Sequence, residues 1–279
     1  MIIDAHCHAW RAWPYDPEVP DSDSRGSIDN LQYEMDRNNV DHAVLVAARI
    51  GTEHPRTDNS DNNSYCAQAV SERSDRFSLF AEVDSFWGDH HHTDGAAQRL
   101  ESIINETSAV GVTHYSTGEP DGWFASPPGL EFFGKARDLG LVASLHTPPA
   151  WLPDLAALAR AFPDLTVLVH HQGHAASDQE FALLLEAAAA APNLSLKMSG
   201  FHYLVEDQWE YPFATHTPRV RRIVEAFGPE RMVWGSDWPV AGDFLSYRQT
   251  LEVWRRHCDL SPTELDLIMG DNLARLLSL

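Results

Sequence analysis

The sequence predicts a parallel, eight-stranded (β/α)8 barrel, and two patterns support this fold class. Eight short apolar runs recur along the 279 residues, and each is followed by a segment with helical spacing of apolar residues. The first run leads into His-Cys-His-Ala-Trp, without the glycine-rich phosphate turn that is typical of an open doubly wound sheet. Because crossovers between parallel strands are right-handed, eight such units close most economically into a barrel.

Each predicted strand is a nearly continuous apolar run, because both faces of a barrel strand are covered. They cover residues 1–4, 42–48, 77–84, 109–115, 141–147, 165–173, 194–200 and 232–239.

Helices are predicted between the strands and after the last one. They cover residues 29–39, 61–73, 95–107, 128–139, 150–161, 178–191, 217–227, 244–257 and 262–277. The last begins at Ser-Pro-Thr-Glu (261–264), which combines a capping serine with a first-turn proline and an acid. No repeat, linker or low-complexity block divides the chain, so we expect one domain over residues 1–279, with the helices from about residue 244 packing on the barrel.

Composition excludes several classes of function. With 20 Lys+Arg against 41 Asp+Glu the net charge is −21, so neither nucleic acid nor an anionic membrane is an expected partner. No apolar stretch approaches the roughly 20 residues that span a bilayer. The three cysteines are irregularly spaced, and residues 1–3 lack the features of a signal peptide. We therefore expect a cytoplasmic protein whose partner is a small-molecule substrate.

Polar side chains at the predicted strand ends indicate a site, because chemistry in such barrels lies at the carboxyl ends of the strands. Residues i and i+2 of a strand share a face, so His6 and His8 can present two imidazoles to one ion. The ends of strands 5 and 8 add His146 and Asp237, and the end of strand 6 adds the segment His-His-Gln-Gly-His at residues 170–174. A lone histidine is more often a satisfied core or surface residue, but the combined set at one end of the barrel favours a functional site.

Three motifs resemble those of a known family. Ile-Asp-Ala-His-Cys-His at residues 3–8 resembles the opening motif of the amidohydrolase superfamily. Val-Trp-Gly-Ser-Asp-Trp-Pro at 233–239 resembles the closing motif of its amidohydrolase-2 branch, which includes sugar lactonases, pyrone-dicarboxylate lactonase-like proteins and aminocarboxymuconate semialdehyde decarboxylase-like proteins. Leu-Val-His-His-Gln-Gly at 168–173 resembles the strand-6 motif of that branch, with His171 at the family's histidine position.

The resemblance implies a metal site and assigns its residues. One divalent ion is surrounded by His6, His8, His146 and Asp237, while His171 contacts the bound water or the substrate. Zn²⁺ suits these ligands best, and Mn²⁺ or another transition metal is chemically reasonable. Binuclear members carry a carboxylated lysine on strand 4, but here that strand ends in Thr-His-Tyr (113–115), so we predict a mononuclear site. The resemblance also implies a homodimer.

The chemistry that the resemblance implies is attack of a metal-activated water on the carbonyl of a lactone or ester of a small organic acid or sugar acid. Asp237 would accept the proton of that water and return it to the leaving group, and His171 would stabilise the oxyanion. Two alternatives stay open: a non-oxidative decarboxylase of a small unsaturated or aromatic acid with the same ligands, and a non-catalytic barrel acting as a binding protein.

Four further strand-end residues are candidates for contacting the substrate. They are Arg49, His114, Tyr115 and Trp238. Arg49 could clamp a carboxylate, although a surface ion pair fits it equally well. Lys197, on strand 7, is either another contact or a structural cation that pairs with barrel carboxylates.

Two loops carry aromatic or imidazole side chains. The loop after strand 1 holds Trp10, Trp13 and Tyr15, which suit a lid over the site, a hydrophobic plug or a dimer contact. The run of three histidines at residues 90–92 follows strand 3. Because adjacent residues on a loop rarely build a closed metal site, we expect this run to be solvated or to bind metal adventitiously, outside the active site.

Overall fold

The computed structural model describes residues 1–279, and its eight strands form one parallel sheet in sequence order, each beside the next. The strands are β1 (Ile3–Cys7), β2 (His42–Val46), β3 (Phe77–Glu82), β4 (Gly111–Tyr115), β5 (Val142–His146), β6 (Val167–Val169), β7 (Leu194–Met198) and β8 (Met232–Trp234). Each lies within or next to a predicted apolar run. The predicted (β/α)8 barrel is confirmed.

The barrel closes through the segment that follows β8, which we call the closing segment (residues 235–238). The Asp237 N–H donates to the carbonyl of His6 at 2.8 Å, and the His8 N–H donates to the carbonyl of Trp238 at 2.7 Å. Gly235 permits this close approach, because a Cβ there would lie 2.6 Å from the Cβ of His6. The closing segment therefore lies directly against the end of β1.

The helices surround the barrel, and none is long and apolar enough to span a bilayer. They are α1 (Ser22–Arg25), α2 (Ile28–Asn38), α3 (Asn62–Glu72), α4 (Ala96–Thr107), α5 (Pro127–Asp138), α6 (Leu152–Ala161), α7 (Asp178–Ala190), α8 (Arg219–Phe227), α9 (Tyr247–His257), α10 (Pro262–Asp266) and α11 (Asn272–Leu277). The helix predicted over 262–277 is interrupted by a π-helical turn at Leu267–Asp271. Within it, Gly270 packs so tightly on the chain start that a Cβ would lie 2.0 Å from the Met1 carbonyl oxygen.

Two apolar layers hold the strands in place. Inside the barrel, residues such as Val44, Val46 and Phe80 pack together, and between barrel and helices lies a larger layer that includes Cys7. The Cys7 thiol donates to the carbonyl of Val44 at 3.4 Å. Cys7 thus faces the helices, on the opposite side of β1 from the barrel interior.

Asp4 joins three parts of the barrel. Its Oδ1 accepts hydrogen bonds from the N–H groups of His6 and Ser236 at 3.1 and 2.9 Å, and its Oδ2 accepts from the Tyr247 hydroxyl at 2.8 Å. The carboxyl is fully buried, and this burial raises its pKa to about 6. One side chain therefore links β1, the closing segment and α9.

Replacing Asp4 by Ala should lower the free energy of unfolding by about 3 kcal/mol, because three buried donors lose their acceptor. Urea unfolding of the full chain measures this. Asp36→Ala is the matched control, since its carboxylate is 54% exposed and pairs only with Arg76 at the surface. The free energy of unfolding of that variant should fall by about 0.5 kcal/mol. An equal decrease in the two variants would contradict the assigned role of Asp4.

Buried neutral histidines should make the protein less stable in acid. His216 is 2% exposed, its Nε2 lies 3.1 Å from the Gln172 side-chain oxygen, and burial together with Arg219 lowers its pKa to about 4. The unfolded chain binds this proton near pH 6.5, so the stabilisation from neutral His216 is full above that pH and is lost as the pH falls towards 4.

We therefore expect His216→Gln to flatten the dependence of unfolding free energy on pH between 4 and 6.5, by up to about 1.4 kcal/mol per pH unit. Urea titrations at several pH values test this. His257→Gln, at an exposed position, should leave the slope unchanged. An unaltered slope in the His216 variant would show that this imidazole titrates alike in the folded and unfolded chains.

Candidate active site

His6, His8 and Asp237 bring three metal-type donor atoms together at the carboxyl end of the barrel. The His6 and His8 Nε2 atoms are 3.2 Å apart, and they lie 3.4 and 3.6 Å from Oδ1 of Asp237. All three side chains are buried. The structure thus brings together the sequence-predicted residues of the first and last strands.

A β-bulge turns these histidines towards the barrel interior. Between Asp4 and Cys7 the register of β1 shifts against β2, so that β1 contains one extra residue. Ile3 and Ala5 face the interior before the shift, and His6 and His8 face it afterwards, although strict alternation would have put them on the opposite side. The bulge is therefore the local feature that converts an apolar strand into a strand with two inward imidazoles.

The donor atoms fit a divalent ion. Two ligands at 2.0–2.2 Å from a tetrahedral ion are about 3.3 Å apart, close to the observed spacings of 3.2–3.6 Å. His8 donates its Nδ1–H to the Val46 carbonyl at 2.7 Å, which leaves the Nε2 lone pair free for a metal.

The charge states also fit. Burial, together with the nearby Lys197, lowers the pKa of His6 well below its ordinary value. Burial alone would raise the pKa of the Asp237 carboxyl, but the imidazoles of His171, His6 and His8 lower it well below its ordinary value. Neutral imidazoles beside one carboxylate are a suitable ligand set for Zn²⁺.

Three more side chains surround the Asp237 carboxylate. The Nε2 of His171 lies 3.9 Å from Oδ1, and the Nε2 of His202 lies 3.9 Å from Oδ2. The Tyr203 hydroxyl donates to Oδ2 at 2.9 Å. Asp237 itself has a φ of 58°, a left-handed conformation that few non-glycine residues adopt, and the hydrogen bonds of the closing segment hold it there.

His146 lies beside this cluster rather than inside it. Its ring centroid is 4.6 Å from that of His174 and 6.1 Å from that of His171, and its Nδ1 has no hydrogen-bond partner. Donor atoms that lie within 4.8 Å of one another include those of His6, His8 and Asp237 but not that of His146. Its role as a fourth ligand stays a prediction.

Lys197 is fully buried beneath the histidines. Its Nζ lies 3.0 Å from the His6 Nδ1 and 3.4 Å from the His170 Nε2, and it sits over the ring of Phe80. These contacts differ from the carboxylate pairing that the sequence left open. His170 is held in turn by the Ser144 hydroxyl, 2.6 Å from its Nε2. Burial lowers the pKa of Lys197 well below its ordinary value, so its neutral amine can accept from the His6 Nδ1–H and orient the ring with the Nε2 lone pair free for a metal.

The four candidate substrate residues separate into different environments. Tyr115 faces the interior, where its ring stacks on His146 at 5.0 Å and its hydroxyl has no partner. The guanidinium of Arg49 forms an ion pair with the buried Glu82. His114 faces outwards, with its Nδ1 2.9 Å from the Val83 carbonyl. Trp238 packs in the apolar layer under the helices. Among the four, the geometry places Tyr115 with the site, whereas His114 points away from it.

Some residues of the site were not predicted from the sequence. His202 and Tyr203 lie in a short 3-10 turn that follows Gly200 at the end of β7. A Cβ at Gly200 would lie 2.9 Å from the His171 Nδ1, so this turn packs directly on the strand-6 histidine. The signal for them in the sequence is a polar pair, His-Tyr, that directly follows a glycine at a strand end.

The loop after β1 covers the histidines with aromatic rings. Trp10 stacks on His8 with centroids 4.8 Å apart, and its indole N–H donates to the Ala48 carbonyl at 3.0 Å. Trp13 is also buried, and its ring meets that of Tyr15 edge to face at 5.2 Å. This packing agrees with a cover over the site; a dimer contact stays a prediction.

Comparisons with known proteins identify relatives of all or part of the chain. The L-fucono-1,5-lactonase of Burkholderia ambifaria is 27% identical over an alignment of 293 positions, which covers 97% of this chain and 93% of the lactonase. The 2-pyrone-4,6-dicarboxylate hydrolase of Comamonas testosteroni is 32% identical over 123 positions, 39% of each protein. A Burkholderia multivorans amidohydrolase crystallised with bound zinc has a TM-score of 0.78 at 21% identity, covering 100% of this chain and 99% of that one.

The sequence profile of the amidohydrolase family matches residues 3–279, from the start of β1 to the last residue. The motifs at residues 3–8 and 233–239 contain the end of β1 and the closing segment, which are hydrogen-bonded to each other and supply His6, His8 and Asp237. The chain therefore belongs to the amidohydrolase family.

Proposed function

We propose that this protein is a metal-dependent lactonase that opens the lactone ring of a sugar acid or a similar small organic acid, with zinc as its ion. The observation that supports this most directly is the convergence of His6, His8 and Asp237 at donor spacings of 3.2–3.6 Å inside a buried site. A relative that matches 97% of the chain is a sugar lactonase, which supports the choice of substrate class.

His6, His8 and Asp237 would hold the ion, which would polarise the lactone carbonyl and lower the pKa of a bound water. Asp237 accepts the proton as the water oxygen bonds to the carbonyl carbon, and it returns the proton to the ring oxygen when the C–O bond breaks. The products are a hydroxyl group and a carboxylic acid, which releases one proton at neutral pH.

The neighbours of Asp237 support this proton transfer. The hydrogen bond from Tyr203 holds one carboxylate oxygen at 2.9 Å, so that the other faces the histidines. The ring of His171 is fixed by the Ser199 hydroxyl, 3.0 Å from its Nδ1, and its Nε2 points towards Asp237. From there it can stabilise the negative charge that develops on the carbonyl oxygen, an interaction that grows in the transition state.

Buried polar atoms without protein partners support a hydroxylated substrate. Beside the site they include the Tyr115 hydroxyl, the Nδ1 of His146 and the Nε2 of His174. Buried polar groups are usually hydrogen-bonded, and the hydroxyls of a sugar lactone can both donate and accept. This explains why a site lined by aromatic rings also contains several unpaired polar atoms.

The test is to supply the purified full chain with a panel of sugar lactones and to follow proton release in weak buffer, with carbon dioxide release from aromatic acids measured in parallel. We expect proton release that disappears after chelation and returns with Zn²⁺. Asp237→Asn should lower kcat about 10³-fold. The control is Asp243→Asn, whose carboxylate is 55% exposed, and it should retain activity.

Two outcomes would overturn the proposal. Carbon dioxide release without proton release from lactones would establish the decarboxylase alternative. A fully folded protein with neither lactonase activity nor bound metal would support the alternative of a non-catalytic barrel.

A separate prediction concerns Lys197, one of only two lysines in the chain. Lys197→Met should weaken metal binding and lower activity by about 10- to 100-fold, because His6 loses the partner on its Nδ1. Metal content and kcat measure this. The other lysine provides the control: Lys135 pairs with Glu101 at the surface, so Lys135→Met should leave both unchanged. A Lys197 variant with normal metal content would mean that His6 needs no support from β7.

A further inference from the structure

Trp87 lies where one side of the active site meets the loop that covers it. It belongs to the loop after β3, and its ring centroid is 4.7 Å from that of Tyr115, the last residue of β4. The Tyr115 ring stacks in turn on His146, beside the metal donors. On its other side Trp87 packs against the apolar group that contains Trp10, whose ring covers His8. The indole is therefore part of the boundary of the site.

Backbone hydrogen bonds fix the loop that carries Trp87 to the end of β4. The Phe86 N–H donates to the Tyr115 carbonyl at 3.0 Å, and the Tyr115 N–H donates to the Ser85 hydroxyl at 3.2 Å. Trp87 and Tyr115 thus come from one hydrogen-bonded unit, so the backbone holds their two rings at a set separation.

Each of the two rings has a buried polar atom without a partner in the protein. These atoms are the indole Nε1 of Trp87 and the hydroxyl oxygen of Tyr115, a residue that is only 7% exposed. They do not pair with each other either. Because buried indole N–H and phenol groups usually find a partner, two neighbouring ones at the edge of a site indicate a group on a bound molecule.

The two groups determine the chemistry of what they bind. An indole N–H only donates, whereas a phenol hydroxyl donates and accepts. Burial raises the pKa of the Tyr115 hydroxyl well above its ordinary value, so this group keeps its proton. One hydroxyl of a ligand can accept from Trp87 and donate to Tyr115 at the same time. The guanidinium of Arg49, which lines the same surface cleft as Trp87, is already paired with Glu82 and is not available to an anionic group.

We propose that Trp87 is a specificity-determining residue, which together with Tyr115 hydrogen-bonds one ring hydroxyl of the lactone. This inference rests on the proposed function and narrows its substrate class to lactones that carry a hydroxyl at that position. Trp87 contributes to recognition and takes no part in breaking the ester bond. A site built to hydrogen-bond a hydroxyl discriminates against the analogue that lacks it, because its buried groups then stay unpaired.

The experiment compares a sugar lactone with a series of deoxy analogues, each of which lacks one hydroxyl. We expect the wild type to prefer the parent lactone over one analogue by about 10-fold in kcat/KM. Trp87→Phe keeps an aromatic ring but removes the N–H, so it should abolish this preference while activity on that analogue is unchanged. A variant that keeps the wild-type preference at every position, including one that loses activity on all lactones alike, would overturn the proposal.

Trp123→Phe is the matched control, because its indole N–H is also buried and unpaired. The Trp123 ring lies on the outward side of β4, where it stacks on His92, whose Nε2 is 3.1 Å from that of His114. This variant should keep the wild-type hydroxyl preference. The same contacts correct the expectation of a solvated histidine run at residues 90–92, since the His92 side chain is only 7% exposed.

Binding without hydrolysis gives a second readout. A 1,5-anhydroalditol has the ring and the hydroxyls of a six-membered sugar lactone but no carbonyl, so the enzyme cannot hydrolyse it. Calorimetry should show that it binds about 10-fold more weakly to Trp87→Phe, and likewise to Tyr115→Phe, than to the wild type, with the Tm of each variant verifying that it is folded. Equal binding to the wild type and Trp87→Phe, or no binding to either, would overturn the proposal. Binding as expected without hydrolysis of any lactone would count against the proposed function alone.

Discussion

The hydrogen bonds that join the closing segment to β1 are the interaction on which the rest of the site depends. They complete the barrel, because β8 ends at Trp234 and the backbone of residues 235–238 continues the contact with β1. The same bonds hold Asp237 in a left-handed conformation beside His6 and His8. Closing the fold and assembling the metal donors are thus one structural event, and Asp4 supports both from the far side of the strand.

The charges buried at the mouth of the barrel differ from the net charge of the whole protein. The chain carries a net charge of −21, yet the interior at the site holds one carboxylate, several neutral imidazoles and Lys197. Desolvation lowers the pKa of His6 and His171 well below their ordinary values, which keeps both imidazoles neutral. The Asp237 charge is then the main charge that a bound ion would meet, in surroundings that screen it weakly.

Much of the fold followed from local patterns in the sequence. Apolar runs predicted all eight strands, and Ser261 with Glu264 forms the capping box that predicted the start of α10. The pairing of His6 with His8 also followed from i, i+2 spacing.

What could not be predicted depends on non-local contacts. The extra residue in β1 that turns both histidines inwards has no signature of its own in the sequence. His114 was expected at the substrate, but β4 alternates so that Tyr115 faces the interior and His114 faces the helices. Its meeting with His91 and His92 depends on how a loop folds back over a neighbouring strand, which spacing alone does not reveal.

Gly235 limits which amino-acid substitutions this protein can accept during evolution. With the His6 Cβ only 2.6 Å from where a side chain would begin, any other residue at 235 would push β8 and β1 apart and break the ligand set along with the barrel. The loop after β1 has no such restriction, because no residue from 9 to 21 has a left-handed backbone. New substrate preferences can therefore arise through substitutions in this loop, whereas the contact between the closing segment and β1 tolerates almost no substitution.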